Sequence, residues 1–240
     1  MNNHIIFINH TGLRGRNVHR SCTIAWAQDA GFSRRQAKRI GSANWGVDFG
    51  VDMTLSTCPA NPWHDSSWHL GIVGPDDPRQ ANAERMFAAA VAQWNQSYID
   101  RDYALAALVS SDIPVGSREY NRESRRIDSQ FEADQNLALR HLGRGLHALQ
   151  DIHAHGNATG GFGGTHTRQH DDIRYDWADD TLTTVVHSGQ THGQRFADTR
   201  DATMVFFDRF ITEIGGLSGL QPQMQNAELG MGDCGLRPQG

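Results

Sequence analysis

The chain predicts an all-α protein, a multi-helix bundle with two long loops that bear metal-ligand side chains. Three observations lead to this. Apolar residues recur at helical spacing through several separate segments bounded by capping residues and glycines. Two stretches between them lack any helical period and gather histidine and aspartate. Within residues 139–157, LRHLGRGLHALQDIHAHGN, His147, Asp151 and His155 recur every four residues. Each step of four advances about 40° around a helix, so these three form one slanting stripe. Leu139, Leu142, Leu146 and Leu149 form a neighbouring apolar stripe. A core face beside a polar ligand face is how helical bundles build interior metal sites.

From the N-terminus, residues 1–16 read as an extended arm, with Ile5, Ile6, Phe7 and Ile8 strand-like and Gly12 and Gly15 interrupting any regular continuation. A helix is expected over 17–29, stopping at Gly31, with His19 in its first turn. Ser33 caps a second helix ending near Gly46. Residues 47–76 carry Gly, Pro, Ser and Thr without helical period and read as a loop. Its length argues for function, and it holds Asp48, Asp52, His64, Asp65 and His69 with Trp63 and Trp68.

Asp77 and Pro78 open a long helix with Met86, Phe87, Ala90, Val91 and Trp94 along one side. A shorter helical piece over 102–110 leads to a break at Pro114 to Gly116. From about Arg118 a helix runs into the His147 stripe and stops near Gly156. Residues 156–194 form the second loop, Gly-rich at its start and holding His166, His170, Asp171, Asp172, Asp176, His187 and His192. A last helix over 195–214 carries Phe196, Met204, Phe207, Phe210 and Ile211. Residues 17–214 therefore read as a single α-helical domain, since no Pro/Gly/Ser-rich linker divides them, and 215–240 as a loose Gly/Gln-rich tail.

Composition bounds the function. Hydrophobic content of 38% with 20% charged residues suits a globular chain. The formal net charge of −5 argues against wholesale coating of nucleic acid, while leaving room for a local basic groove. Cys22, Cys58 and Cys234 lie too far apart for a zinc knuckle or disulfide framework and read as free thiols. No secretory signal pattern and no 18-residue apolar run are present. The expectation is a soluble protein without a transmembrane segment, cytoplasmic or exported by a specialised route. Thirteen histidines against ten phenylalanines is an excess that ligation would explain.

Two imidazoles flanking a carboxylate on one helix face are ligands for a divalent metal, zinc first. His141 and His153 fall off the stripe; His153 sits about 240° from His147. Gly143, one step of four before His147, lies on the ligand face and lets another backbone or a substrate approach closely. The segment LGRGLHALQDIHAHGN resembles the core motif of the zinc-dependent phospholipase C superfamily, an all-α fold that includes single-strand-specific nucleases. The likeness is nearest to phospholipase-like domains of Rhs-type polymorphic toxins. In that pattern one helix supplies His-x3-Asp and another His comes shortly after, which here are His147, Asp151 and His155.

The same resemblance implies His19, within VHRSCTIAWAQDAGFS, Asp48, within ANWGVDF, and His69, within SSWHLGI, as earlier ligands. Asp52 and His64 are close alternatives to the two loop residues. Where the family pattern ends in His-x3-Glu, this chain offers His166-x3-His170. The resemblance implies one to three zinc ions, with Asp48 orienting or deprotonating a water that attacks phosphorus in line. Metal-bound water acquires a pKa near 7, about right for that step. The expected substrate is a phospholipid head group, with contact to a membrane surface and, for a toxin, an immunity protein as partner. A single-strand nuclease is the alternative within the same chemistry. A non-catalytic protein whose zinc merely joins helices is the alternative outside it; structural zinc sites, however, are usually Cys-rich and compact in sequence.

Overall fold

The computed structural model describes residues 18–47, 66–68, 73–155 and 192–220, and these form five α-helices with no strand among them. A π-helical turn, Val18–Cys22, runs directly into α1, Thr23–Asp29. Gly31, with φ at 105°, turns the chain toward α2, Arg34–Val47. Ser33 and Gln36 close a reciprocal cap there. The Ser33 N–H donates to Gln36 Oε1 (2.9 Å), and the Gln36 N–H donates to Ser33 Oγ (3.3 Å). Two of the orphaned donors at the helix start are thus satisfied.

α3 spans Pro78–Val109, with Asp77 as its N-cap accepting from the Arg79 N–H at 2.9 Å. The separate helix expected over 102–110 does not exist; that segment is the end of α3. Contacts with the next helix carry α3 through. α4, Arg118–His155, returns antiparallel along α3, with Tyr98 edge-on to Phe131 (ring centroids 4.9 Å) and Arg101 forked onto Asp128 Oδ1 (3.1 and 2.9 Å). Gly116, at φ 80°, lies in the connection between them. α5, His192–Glu213, comes next, and a short 3-10 turn, Leu217–Leu220, seats Leu220 on the core.

One apolar cluster draws on the π turn and on all five helices. Trp26 and Phe32 meet the aromatic face of α5, and Met86, Phe87, Ala90 and Trp94 bring in α3. Leu139, Leu142 and Leu146 are fully buried at its centre, with Leu149 at the edge. α2, α3 and α5 all pack against α4, while α1 rests on α2 and α5. Bidentate pairing of Arg209 with Glu84 (both 2.9 Å) ties α5 to α3 and holds the Glu84 carboxyl below its ordinary value. No helix among the described residues is long and apolar enough to cross a membrane.

Two glycines bring the neighbours of α4 within backbone distance. A Cβ on Gly143 would run into the Ile40 carbonyl and meet Ala43 and the Asn44 nitrogen of α2; one on Gly145 would crowd Ala83 of α3 and Phe206 of α5. Gly143 thus admits a backbone, as its position on the stripe predicts. Replacing Gly143 with Ala must push α2 away, an overpacking expected to destabilise by about 1–3 kcal/mol. Urea melts of Gly143→Ala beside wild type check this; an unchanged midpoint would contradict the packing.

Candidate metal centre

α4 carries His147 and Asp151 one turn apart, and the π turn lays His19 across them. His19 Nε2 lies 3.3 Å from Asp151 Oδ1, and His147 Nε2 lies 3.3 Å from Asp151 Oδ2. Each carboxylate oxygen thus faces one imidazole. The two rings are 4.4 Å apart, tilted by 34°. All three side chains are buried. π-helical turns are frequent at functional sites, and this one carries His19.

The surrounding hydrogen bonds determine which nitrogen of each ring faces Asp151 bare. Thr23 Oγ1 gives its proton to the Val18 carbonyl (2.8 Å), and Thr203 Oγ1 gives its proton to the Thr199 carbonyl (2.8 Å). Both hydroxyls can then only accept, so the Gln150 amide donates to them, at 3.1 and 3.0 Å. The Gln150 oxygen is left to accept from Asn44 Nδ2 (3.0 Å) and from His19 Nδ1 (2.9 Å). His19 therefore carries its proton on Nδ1. His147 Nδ1 likewise donates to the Asn44 carbonyl at 3.1 Å. In the neutral tautomers, both Nε2 lone pairs point at the Asp151 carboxylate.

Three electron-pair donors converging in a buried space repel one another unless positive charge lies between them. Protonation of the imidazoles is one source. Burial opposes it at His147, pushing that ring below its ordinary value of 6.5 despite the attraction of Asp151, and the neighbouring His19 pushes it further the same way. A divalent cation is the other source, and the donor set fits one. Two neutral imidazole nitrogens and a carboxylate are metal ligands, and each histidine has its other ring nitrogen fixed by a protein acceptor, the usual outer-shell arrangement. His19, His147 and Asp151, with ligand atoms within 4.8 Å of one another, form a group able to hold a metal ion.

The backbone of α4 is fixed at this point. Arg79 Nη1 donates to the Asp151 carbonyl at 3.0 Å, while its Nε and Nη2 grip the Asp77 carboxylate at 3.0 and 2.7 Å. Arg79 and Asp77 are both buried. The start of α3 is thereby attached to the ligand-bearing end of α4.

Of the residues that the sequence nominates, the structure brings together His19, His147 and Asp151. His155 is the last residue of α4, and its side chain lies outside the described residues. Asp48, His69, His166 and His170, with the alternatives Asp52 and His64, lie outside them as well. His141 and His153 do not join the described cluster, in keeping with their place off the stripe. No sequence cue marks Gln150, Asn44, Thr23 or Thr203, which orient the ligands.

Protein-family models, curated proteins and solved structures all searched against this chain returned no match. The centre is accordingly defined by its own geometry.

The metal-free protein should be acid-sensitive. His147 is held below 6.5 in the folded state but titrates near that value when unfolded, so the unfolded chain takes up the proton first. This contribution is fully present above about pH 6.5 and is lost as pH falls toward the lowered folded value. Urea melts in a chelator, between about pH 7.5 and 5, should show stability falling with acid. Stability that holds level or rises would contradict the assignment.

Proposed function

We propose that the chain is a zinc-dependent phosphodiester hydrolase of the phospholipase C type, acting on phospholipid head groups. The observation that carries the reading is the pair of histidines with Nδ1 anchored and Nε2 aimed at the two oxygens of one buried aspartate. Nitrogen and carboxylate ligands drawn from separate segments suit zinc in a catalytic site better than in a closed structural one. His19 and His147 would hold the ion through Nε2, and Asp151 through its carboxylate. When bound, the ion supplies a Lewis acid that polarises phosphoryl oxygens and makes water nucleophilic near neutral pH.

The chain's own residues supply the rest. Gln150 and the Asn44 carbonyl keep both rings in the ligating tautomer and prevent their rotation. Asp151 balances the charge of the ion within the buried site. Asp48, His69 and His155 are proposed as further ligands on the strength of the sequence resemblance, and Asp48 also as the group that orients or deprotonates the attacking water. His166 and His170 are proposed as the last ligand pair. Action as a bacterial toxin, with an immunity protein as partner, belongs to the same proposal.

A single-strand nuclease is the second reading. One observation favours it: α2 carries Arg34, Arg35, Lys38 and Arg39 and no acidic residue, although the whole chain is acidic. Head-group release from phosphatidylcholine vesicles and cleavage of single-stranded DNA, each with added zinc, test the two together. Lipid turnover without DNA cleavage supports the first reading. DNA cleavage alone would replace it with the second, and neither activity would remove both.

A further inference from the structure

α3 is apolar on both of its sides. Toward the core it turns Met86, Phe87, Ala90 and Trp94. On the opposite side, alternating steps of four and three residues from Ala81 to Val109 land on exposed positions throughout, which is the spacing of a helix-pairing seam. Ala81, Ala88, Ala92, Ile99, Ala106 and Val109 make up most of it, and Arg85, Asn95 and Asp102 are its polar members. Tyr103 borders it. Ile99, Tyr103 and Val109 are 48%, 76% and 64% exposed. The solvated side of α4 is unlike this: Arg118, Glu119, Arg122, Arg125 and Arg126 are exposed near its start. A helix that is apolar all round is normally buried, so the outer side of α3 suits a partner.

The two charges of the seam identify that partner. Arg85 and Asp102 lie on it about 25 Å apart along the helix axis, with their midpoint between Gln93 and Trp94. A second α3 laid antiparallel, related by a two-fold axis at that midpoint, faces Arg85 of each copy with Asp102 of the other. Asp102 makes no hydrogen bond or ion pair among the described residues. Arg85 keeps its bond to Asn82 Oδ1 (2.8 Å) and its place over the Trp68 ring, and a guanidinium has five N–H donors to share. The same register sets Ile99 against Ala88, Ala106 against Ala81 and Asn95 against Ala92, so the one bulky member of the layers meets a small one. Sliding one copy by a heptad instead faces Asp102 with Ala92 and Arg85 with Val109, which leaves both charges against apolar side chains. Charge therefore selects one register, and the seam is self-complementary, as a closed two-fold interface requires.

We propose that two copies of the chain associate through the outer faces of α3, antiparallel, as a closed two-fold dimer. The proposal goes beyond the hydrolase reading and does not depend on it, because no residue of the metal centre lies on the seam. Burial of Ile99 and Tyr103 supplies affinity. The reciprocal pairs of Arg85 and Asp102 fix the register, since exposed ion pairs add little affinity while like charges set opposite one another are strongly disfavoured.

Sedimentation velocity of the full chain at rising concentration tests the interface and should show a monomer–dimer equilibrium. Ile99→Glu is expected to weaken dimerisation at least tenfold with helicity unchanged, because it sets a charge against Ala88 in the closed seam. Asp102→Lys and Arg85→Glu should each weaken it too, by placing like charges opposite one another. An equimolar mixture of those two variants should recover the dimer, since every facing pair in the mixed species is again of opposite sign. Glu119→Lys, a charge change on the solvated side of α4, should leave the equilibrium within twofold. The proposal is overturned if wild type stays monomeric, if Ile99→Glu dimerises as wild type does, or if the mixture dimerises no better than either variant alone. A monomer that floats with phosphatidylglycerol vesicles, and no longer does so as Ile99→Glu, assigns the face to a lipid surface and overturns it as well.

Discussion

Asp151→Asn should abolish metal binding while leaving the fold intact. The amide is nearly isosteric with the carboxylate but brings no negative charge, and it turns one oxygen into a donor that can satisfy one of the two imidazole lone pairs. Changes to residues that merely orient ligands typically lower metal affinity about 10–100-fold, so losing a ligand that faces both histidines should exceed 100-fold. The stability signature runs opposite to that of ordinary core damage. Without metal, Asn at 151 removes a buried charge that faces two lone pairs, and the variant should melt no lower than metal-free wild type. With zinc at about 100 times its dissociation constant, wild type gains about 2.7 kcal/mol by mass action, and the variant gains nothing. Thermal melts of both proteins with and without zinc read this directly. A variant that still rises with zinc would show that Asp151 is not a ligand.

Arg79→Ala should be the most damaging substitution for stability. It leaves the Asp77 carboxylate buried without its guanidinium partner and removes the donor to the Asp151 carbonyl. Breaking a buried pair by deleting one partner typically destabilises by about 3–5 kcal/mol. For a chain of this size each kcal/mol shifts the melting temperature by about 2–4 °C, so a fall of roughly 6–20 °C is expected. Coupling identifies the cause: adding Asp77→Asn to Arg79→Ala should recover part of the loss, because the unpaired charge is then gone. The single variant should also bind metal more weakly, since the end of α4 is no longer attached to α3. A melting temperature within 2 °C of wild type would contradict the pairing.

Much of the architecture is legible in local pattern. Ser33 with Gln36, and Asp77 with Pro78, mark helix starts by their own side-chain and backbone chemistry. The apolar residues of the helices beginning at Pro78 and Arg118 land on the core as their spacing predicts. The boundary expected before residue 102 is absent: α3 runs on to Val109, and Arg101 pairs with Asp128 of α4 across the hairpin. Tertiary contact overrides a local signal.

The candidate centre divides in the same way. His147 and Asp151 are readable because a spacing of four places both on one face. His19 reaches them from 128 residues away, so no local pattern pairs them; only the family resemblance nominates it. Gln150, Asn44, Thr23 and Thr203 come from four helices and acquire meaning only when those helices close, since each is an ordinary polar residue until its partners are known. A buried glutamine that decides a histidine tautomer has no sequence signature.

The central claim is that His19, His147 and Asp151 hold a metal ion, and elemental analysis of the purified chain tests it most directly. The measurement compares wild type with His147→Ala after equilibration with zinc and removal of the excess. At least one zinc per wild-type chain, with a clear loss in the variant, is the result the geometry predicts. Less than one per chain, unchanged by His147→Ala and not raised by added zinc, would contradict it.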